Sequence, residues 1–336
     1  MRILHIEVLW REKNYDDCMR EVDDLLGKIN HANRRNLDNY SALLYHYYAR
    51  IHEKRGTEHS IREALLEALN RACVRNDEVG QCGLLNLLLR NYLRHNHIEA
   101  AFNLIEKCTF PEGKSSNEFC KYLFYTGRVK AVRREYGDAL DMLNQAIRKS
   151  PDRAKGFKIQ CQKVAVVVEL LLGEVPNREI FADESIFKNT YPYYRLIQAV
   201  LEGELAKFNK VVEEYRAVYQ QDRLYTIIQR LNQIVIRIGL RKISVAYSKI
   251  SLADIASKLN IPPEDVEFVV AKALRDGIMH GQIDHERQVL KIEADQNIYV
   301  TNEPQGQLDK RIRYCLGLYH EVQKAITYPD MKVNVE

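Results

Sequence analysis

The chain has 336 residues, 46% of them apolar, with only 15 Gly and 8 Pro. It is too apolar for a disordered chain, too poor in breakers for a β-sandwich, and long enough for a solenoid plus a compact module. Fifty basic residues against 46 acidic leave a formal charge of +4, too small a surplus to argue by itself for a nucleic-acid partner.

Seven Cys, at 18, 73, 82, 108, 120, 161 and 315, are odd in number and nowhere spaced Cys-x-x-Cys. That pattern speaks against a disulfide framework or a zinc ribbon, and for free, mostly buried thiols in a reducing compartment. His5, Glu7, Arg11 and Glu12 interrupt any secretory pattern at the N-terminus. The most apolar stretch, Val164 to Leu172, contains Glu169 and is too short to span a bilayer. The expectation is a soluble intracellular protein.

Taken in chain order, the first 60 residues are helical by composition. Between Asn117 and Pro151 the spacing predicts a helix pair of tetratricopeptide type. Gly127 stands where the first helix needs a small residue, and Ala139, Leu143, Ala146 and Pro151 follow at the offsets of such a repeat. Tyr136-Gly137-Asp138 is expected to be the turn between the two helices. Ala100, Leu104 and Pro111 echo this unit upstream, at a shift of 39 residues. Tyr193, Gly203, Leu205, Phe208 and Val212 echo it downstream. Each pair leaves an apolar face that a neighbour must cover, so residues 1–222 are expected to form an irregular helical-repeat solenoid.

The texture then changes. A helix from Thr226 to Ile238 is expected to end at Gly239, and Ser251 to cap a short helix, Leu252 to Leu259. Pro262-Pro263-Glu264-Asp265 starts another helix, with Val266, Val269, Val270, Ala273 and Leu274 on one face and a stop at Gly277. Strands at Ile278–Ile283 and Gln288–Ile292, joined across Asp284-His285-Glu286-Arg287, complete a winged helix over residues 223–303. A last helix, Gln307 to about Thr327, carries Leu308, Ile312, Cys315, Tyr319, Val322 and Ile326 at spacings of 4, 3, 4, 3 and 4, which is a heptad seam. Residues 304–328 therefore read as a helix in search of a partner surface, with 329–336 as a tail.

The strings YSKISLADIASKL (247–259) and EDVEFVVAKALRDGIMHGQIDHE (264–286) resemble the PCI module of proteasome-lid, signalosome and translation-initiation-factor subunits. Further stretches, LLLRNYL (87–93), KYLFYTGRVKAV (121–132), VVELLLGEVPNR (167–178) and IYVTNEPQ (298–305), resemble the lid branch of that family over roughly residues 84–328. The resemblance implies a mainly α, non-catalytic scaffold of the 26S proteasome regulatory particle, in cytoplasm and nucleus, supporting ubiquitin-dependent degradation. It implies winged helices of several subunits paired edge to edge, C-terminal helices gathered in one bundle with the lid deubiquitinase module, and a small acidic disordered subunit as a further partner. A signalosome or initiation-factor subunit is the alternative within the class.

A winged-helix nucleic-acid binder is the alternative from another class. The helix that would enter a groove carries Glu264, Asp265, Glu267 and Asp276 against Lys272 and Arg275, the wrong sign for phosphate. Met279 and Ile283, with Val289 on the second strand, are candidates for an edge that accepts a neighbour's strand. Leu308, Ile312, Tyr319, Val322 and Ile326 are the candidate bundle residues. Arg128, Arg133, Arg134, Arg148 and Lys149 lie in a segment of nine basic and four acidic residues, a candidate face for the acidic partner. His95-Asn-His97 lacks the Ser and Asp of the lid deubiquitinase, with Ile105 and Cys108 in their places. His52-Glu53 and His285-Glu286 lack the second His of a zincin. No catalytic residue, metal or cofactor is expected.

Overall fold

The computed structural model describes residues 2–32, 34–111, 115–181, 184–293 and 300–326. The chain divides into two compact units, Met1–Gly239 and Leu240–Glu336. Among the described residues unit 1 has helices and no strand: α1 Arg2–Arg11, α2 Tyr15–Ala32, α3 Asp38–Arg55, α4 Arg62–Arg75, α5 Glu78–Arg94, α6 Ile98–Lys107, α7 Ser116–Arg133, α8 Tyr136–Lys149, α9 Lys155–Leu172, α10 Glu184–Glu202, α11 Leu205–Glu214, α12 Arg216–Gln221, α13 Tyr225–Gln229 and the first part of α14 Leu231–Ala246.

Two adjoining cores fill it. One draws on residues from Ile6 to Ala101 with Val129, the other on residues from Phe119 to Val235, and Phe110, Tyr122 and Tyr125 pack against both. That arrangement is how a repeat array works, since each helix pair buries the face that its neighbour leaves bare. Charge is also buried here. Lys163 of α9 donates to Oδ2 of Asp222 at 2.7 Å, and the Tyr193 hydroxyl of α10 donates to the same oxygen at 2.8 Å, so one carboxylate ties two helices to the turn after α12.

The helix pair expected between Asn117 and Pro151 is α7 and α8. A Cβ on Gly127 would meet Leu143 Cγ at 2.9 Å and the Ala139 carbonyl oxygen at 3.3 Å. The turn differs from expectation. Arg134 takes the left-handed conformation that ends α7 (φ 74°), while Tyr136, Gly137 and Asp138 already form the first turn of α8. The strain of that conformation is offset because the Arg134 and Glu135 amides cap the last carbonyls of α7. The upstream echo is displaced by one residue: Ala101, not Ala100, is fully buried in α6. Gly239 does not end a helix. It lies inside α14, where Gly203 (φ +74°) approaches so closely that a Cβ there would stand 2.8 Å from the Gly239 amide nitrogen.

In unit 2, β1 Lys249–Ser251 leads into α15 Leu252–Leu259, α16 Pro263–Arg275, β2 Gly281–Asp284, β3 Val289–Ile292 and α17 Glu303–Ile326. Ser251 Oγ accepts from the Asp254 amide at 3.1 Å and starts α15 where expected. Pro263 starts α16, whose Val266, Val270 and Ala273 are buried. The sheet has three strands in the order β1-β3-β2, both pairs antiparallel. The first strand goes beyond the two expected, because three residues are too few to show an alternation. No helix among the described residues is long and apolar enough to cross a membrane.

Candidate protein-interaction surface

The winged unit and its last helix hold most of the candidate interface residues. α17 has 24 residues, roughly 36 Å at the helical rise, and none of them is buried. Leu308, Ile312, Tyr319, Val322 and Ile326 are between 49% and 68% exposed. Helical geometry puts all five, with the exposed Cys315, within about 40° of one line along the rod. Leu316 and Leu318, also exposed, lie about 80° to either side of that line and widen the stripe. Neither follows the 4-3 spacing, so the heptad pattern alone passes over them. On the opposite side, Arg313 pairs with Asp309 at 2.8 Å, one turn apart. α17 is thus a two-faced rod with an uncovered apolar stripe. Each of these side chains is worth about 1.5–3 kcal/mol when fully buried.

The sheet offers backbone instead of side chains. β3 is paired on both sides, with Val289 opposite Asp284 in β2 and opposite Ser251 in β1. Val289 therefore has no free edge to offer, contrary to the expectation for the hairpin. The unpaired long edges belong to β1 and β2. Ile283 keeps its place on β2 and is partly exposed, whereas Met279 precedes the strand, is 2% exposed and packs inside the unit. Met279 follows the close of α16, where the Gly277 and Ile278 amides cap that helix and turn the chain inward. Phe268, 76% exposed on α16, adds an apolar side chain to this unit's surface. Its neighbours Val266, Val269 and Val270 dominate the helical pattern and hide it in the sequence. His285 Nδ1 bonds Glu267 at 2.7 Å, fastening the wing turn to α16, whose first turn presents Glu264 and Asp265 to solvent.

The five basic residues of the solenoid do not form one face. Arg128 turns into a cavity and donates to the Asp222 carbonyl. Arg133 stacks 3.2 Å over the Phe102 ring and pairs with Glu135. Lys149 sits 4.4 Å from the Phe119 ring centre. Arg134 precedes α8 and Arg148 lies at its far end, about 20 Å away by the helical rise, both exposed. A run that is basic in sequence is dispersed because an α-helix sends successive side chains in different directions.

His95 Nε2 bonds Oε2 of Glu58 at 2.7 Å. Among the described residues no group of three or more His, Cys, Asp or Glu is placed to hold a metal ion.

Three family models match in succession: PSMD3-like N-terminal TPR repeats over residues 1–197, the PCI domain over 212–294, and the C-terminal region of proteasome regulatory subunits over 297–336. Among curated proteins, the chain is 42% identical over 322 residues to 26S proteasome non-ATPase regulatory subunit 3 homolog A of Arabidopsis thaliana, covering 95% of the chain and 66% of that protein. It is 43% identical over 330 residues to the probable 26S proteasome non-ATPase regulatory subunit 3 of Anopheles stephensi, covering 97% and 66%. Against 26S proteasome non-ATPase regulatory subunit 3 of Dictyostelium discoideum it is 35% identical over 335 residues, covering 98% and 66%. The chain thus spans just under two thirds of the length of these relatives.

Proposed function

The chain belongs to the 26S proteasome non-ATPase regulatory subunit 3 family, and from that premise we propose that it is a non-catalytic scaffold of the regulatory-particle lid. It works by binding energy alone, supporting ubiquitin-dependent degradation in cytoplasm and nucleus. Residues 1–222 serve as the arm, 223–303 as the PCI module, whose residues 223–239 pack with the arm in unit 1, and 304–326 as the bundle helix; residues 327–336, expected to finish that helix and form a tail, lie outside the described residues. The observation that carries the proposal is α17, a 24-residue helix with no buried residue and a continuous apolar stripe. Water is the wrong environment for that stripe, and helices of the same kind from other lid subunits, including the deubiquitinase module, are the right one.

The open edge of β2, with Ile283, supplies backbone donors and acceptors for a neighbouring PCI sheet. A small acidic lid protein is a further proposed partner, through Arg134, Arg148 and Lys149, which stay exposed on the arm.

The test is a pair of variants, Tyr319→Asp and Val322→Asp, each expressed with an affinity tag. Both are expected to keep the circular dichroism and melting temperature of the parent chain, because neither side chain is buried, and to lose the other lid subunits on purification. Normal recovery of those subunits with either variant would overturn the proposal.

A further inference from the structure

Unit 1 contains a cavity of about 560 Å³, within the size range of small-molecule sites. Six of its lining side chains are cations: Arg50 and Lys54 of α3, Arg90 and Arg94 of α5, Arg128 of α7 and Arg223 from the turn after α12. Two carboxylates, Glu53 and Asp222, face them, and Arg94 also pairs with the buried Glu58 at 2.8 Å, so the cations outnumber the acids by three, six less three.

The two facing acids are already committed. Glu53 accepts from Arg50 at 2.9 Å, from Arg90 at 2.5 and 3.2 Å, and pairs with Arg94 at 3.1 Å. Asp222 gives its Oδ2 to Lys163 and Tyr193. Arg128 is left with a main-chain carbonyl, that of Asp222 at 3.4 Å, and Arg223 with that of Leu93 at 3.2 Å. Neither makes an ion pair with a carboxylate among the described residues.

Burial and then the charge of Arg223 lower the pKa of Arg128; burial and then Arg94 lower that of Arg223. Cations that depress one another in a partly desolvated hollow are held there at a cost, and an anion placed among them removes it. The planar fork of a guanidinium matches phosphate oxygens in particular.

We propose that this cavity binds a compact polyphosphorylated small molecule, whose several anionic groups reach cations on three helices and one turn at once. A single phosphate is too small to meet all of them. A donor set that converges from separate elements suits a ligand with charge on every side.

The experiment is isothermal titration of the full chain with myo-inositol hexakisphosphate as the probe. Saturable binding of one molecule per chain is expected, weakening as salt is added. Arg223→Gln is expected to weaken it about tenfold, the loss of one charge-assisted contact, and the exposed Lys54→Glu severalfold. Lys210→Glu, exposed on α11 and outside the cavity lining, leaves it unchanged, and melting curves of all three variants establish that they fold. Co-sedimentation with vesicles bearing phosphatidylinositol bisphosphate supports the same phosphate chemistry from a lipid source; titration with the free ester supports a soluble one. Three results overturn the proposal: no saturable heat, an equal loss with Lys210→Glu, or tighter binding by an oligoglutamate peptide than by the hexakisphosphate.

Discussion

Gly127 of α7 lies directly against Leu143 of α8: a Cβ at position 127 would fall 2.9 Å from Leu143 Cγ, and Leu143 is itself fully buried. Neither partner can give way without moving a helix. Gly127→Ala is therefore expected to cost about 1–3 kcal/mol, the range for overpacking a filled core, read as a lower urea midpoint for unit 1. Pairing it with Leu143→Ala is expected to recover part of that loss, so the two effects are non-additive. Additive losses in the double variant would show that the close approach is not what Gly127 provides.

Ser251 caps α15 through the Asp254 amide and also donates to the Asp254 carboxylate at 2.7 Å. Ser251→Ala is expected to destabilise unit 2 by about 1 kcal/mol and to speed amide hydrogen exchange in the first turn of α15 over that in α16. Equal acceleration in both helices would point to the sheet instead of the cap.

Glu53 is drawn up by burial, but hydrogen bonds from Arg90 and Arg50 outweigh this and hold its carboxyl below the ordinary glutamate value of 4.5. A carboxylate lowered in the folded state contributes stability that is complete above the unfolded value and is lost as pH falls through the folded one. Glu53→Gln is expected to flatten the acid limb of the stability profile below about pH 4.5. At neutral pH it costs about 1.5–3 kcal/mol, as for a lost hydrogen bond to charge. An unchanged acid limb would assign that limb to other carboxylates.

The thiols separate into two classes. Burial pushes Cys82 up to about 11 and Cys161 up to about 12, whereas Cys73 and Cys315 are exposed. Iodoacetamide at about pH 8 is expected to label Cys73 and Cys315 quickly and to spare Cys82 and Cys161 until the chain unfolds, because only the accessible thiolate reacts. Cys315 lies on the apolar stripe of α17, so its labelling is expected to stop once the chain is assembled with its partners. Continued labelling of Cys315 in the assembled state would take that stripe out of the interface.

Much of the fold is written locally and can be read. Gly127, Ala139 and Leu143 announce a helix pair through spacing alone, Ser251 and Pro263 mark the starts of α15 and α16, and the seam of α17 repeats over almost three heptads. What escapes reading is set by distant partners or by single residues out of character. Gly137 suggests a turn, but the left-handed residue is Arg134, which tolerates the strain because two capping amides offset it. β1 exists because β3 pairs with it, not because Lys249-Ile250-Ser251 has a pattern of its own. The clearest case is charge. The basic run from Arg128 to Lys158 draws attention, yet it scatters over several surfaces, while the concentrated field is built by Arg50, Arg90, Arg94 and Arg223, which no window along the chain brings together.

If α17 is covered only in assembly, as proposed, the amount of this protein becomes a physical variable. Copies made beyond the supply of partners keep a greasy rod in water, where like rods adhere to one another without a closing symmetry. Cells that produce this chain thus have reason to match its synthesis to that of its companions, or to clear the surplus.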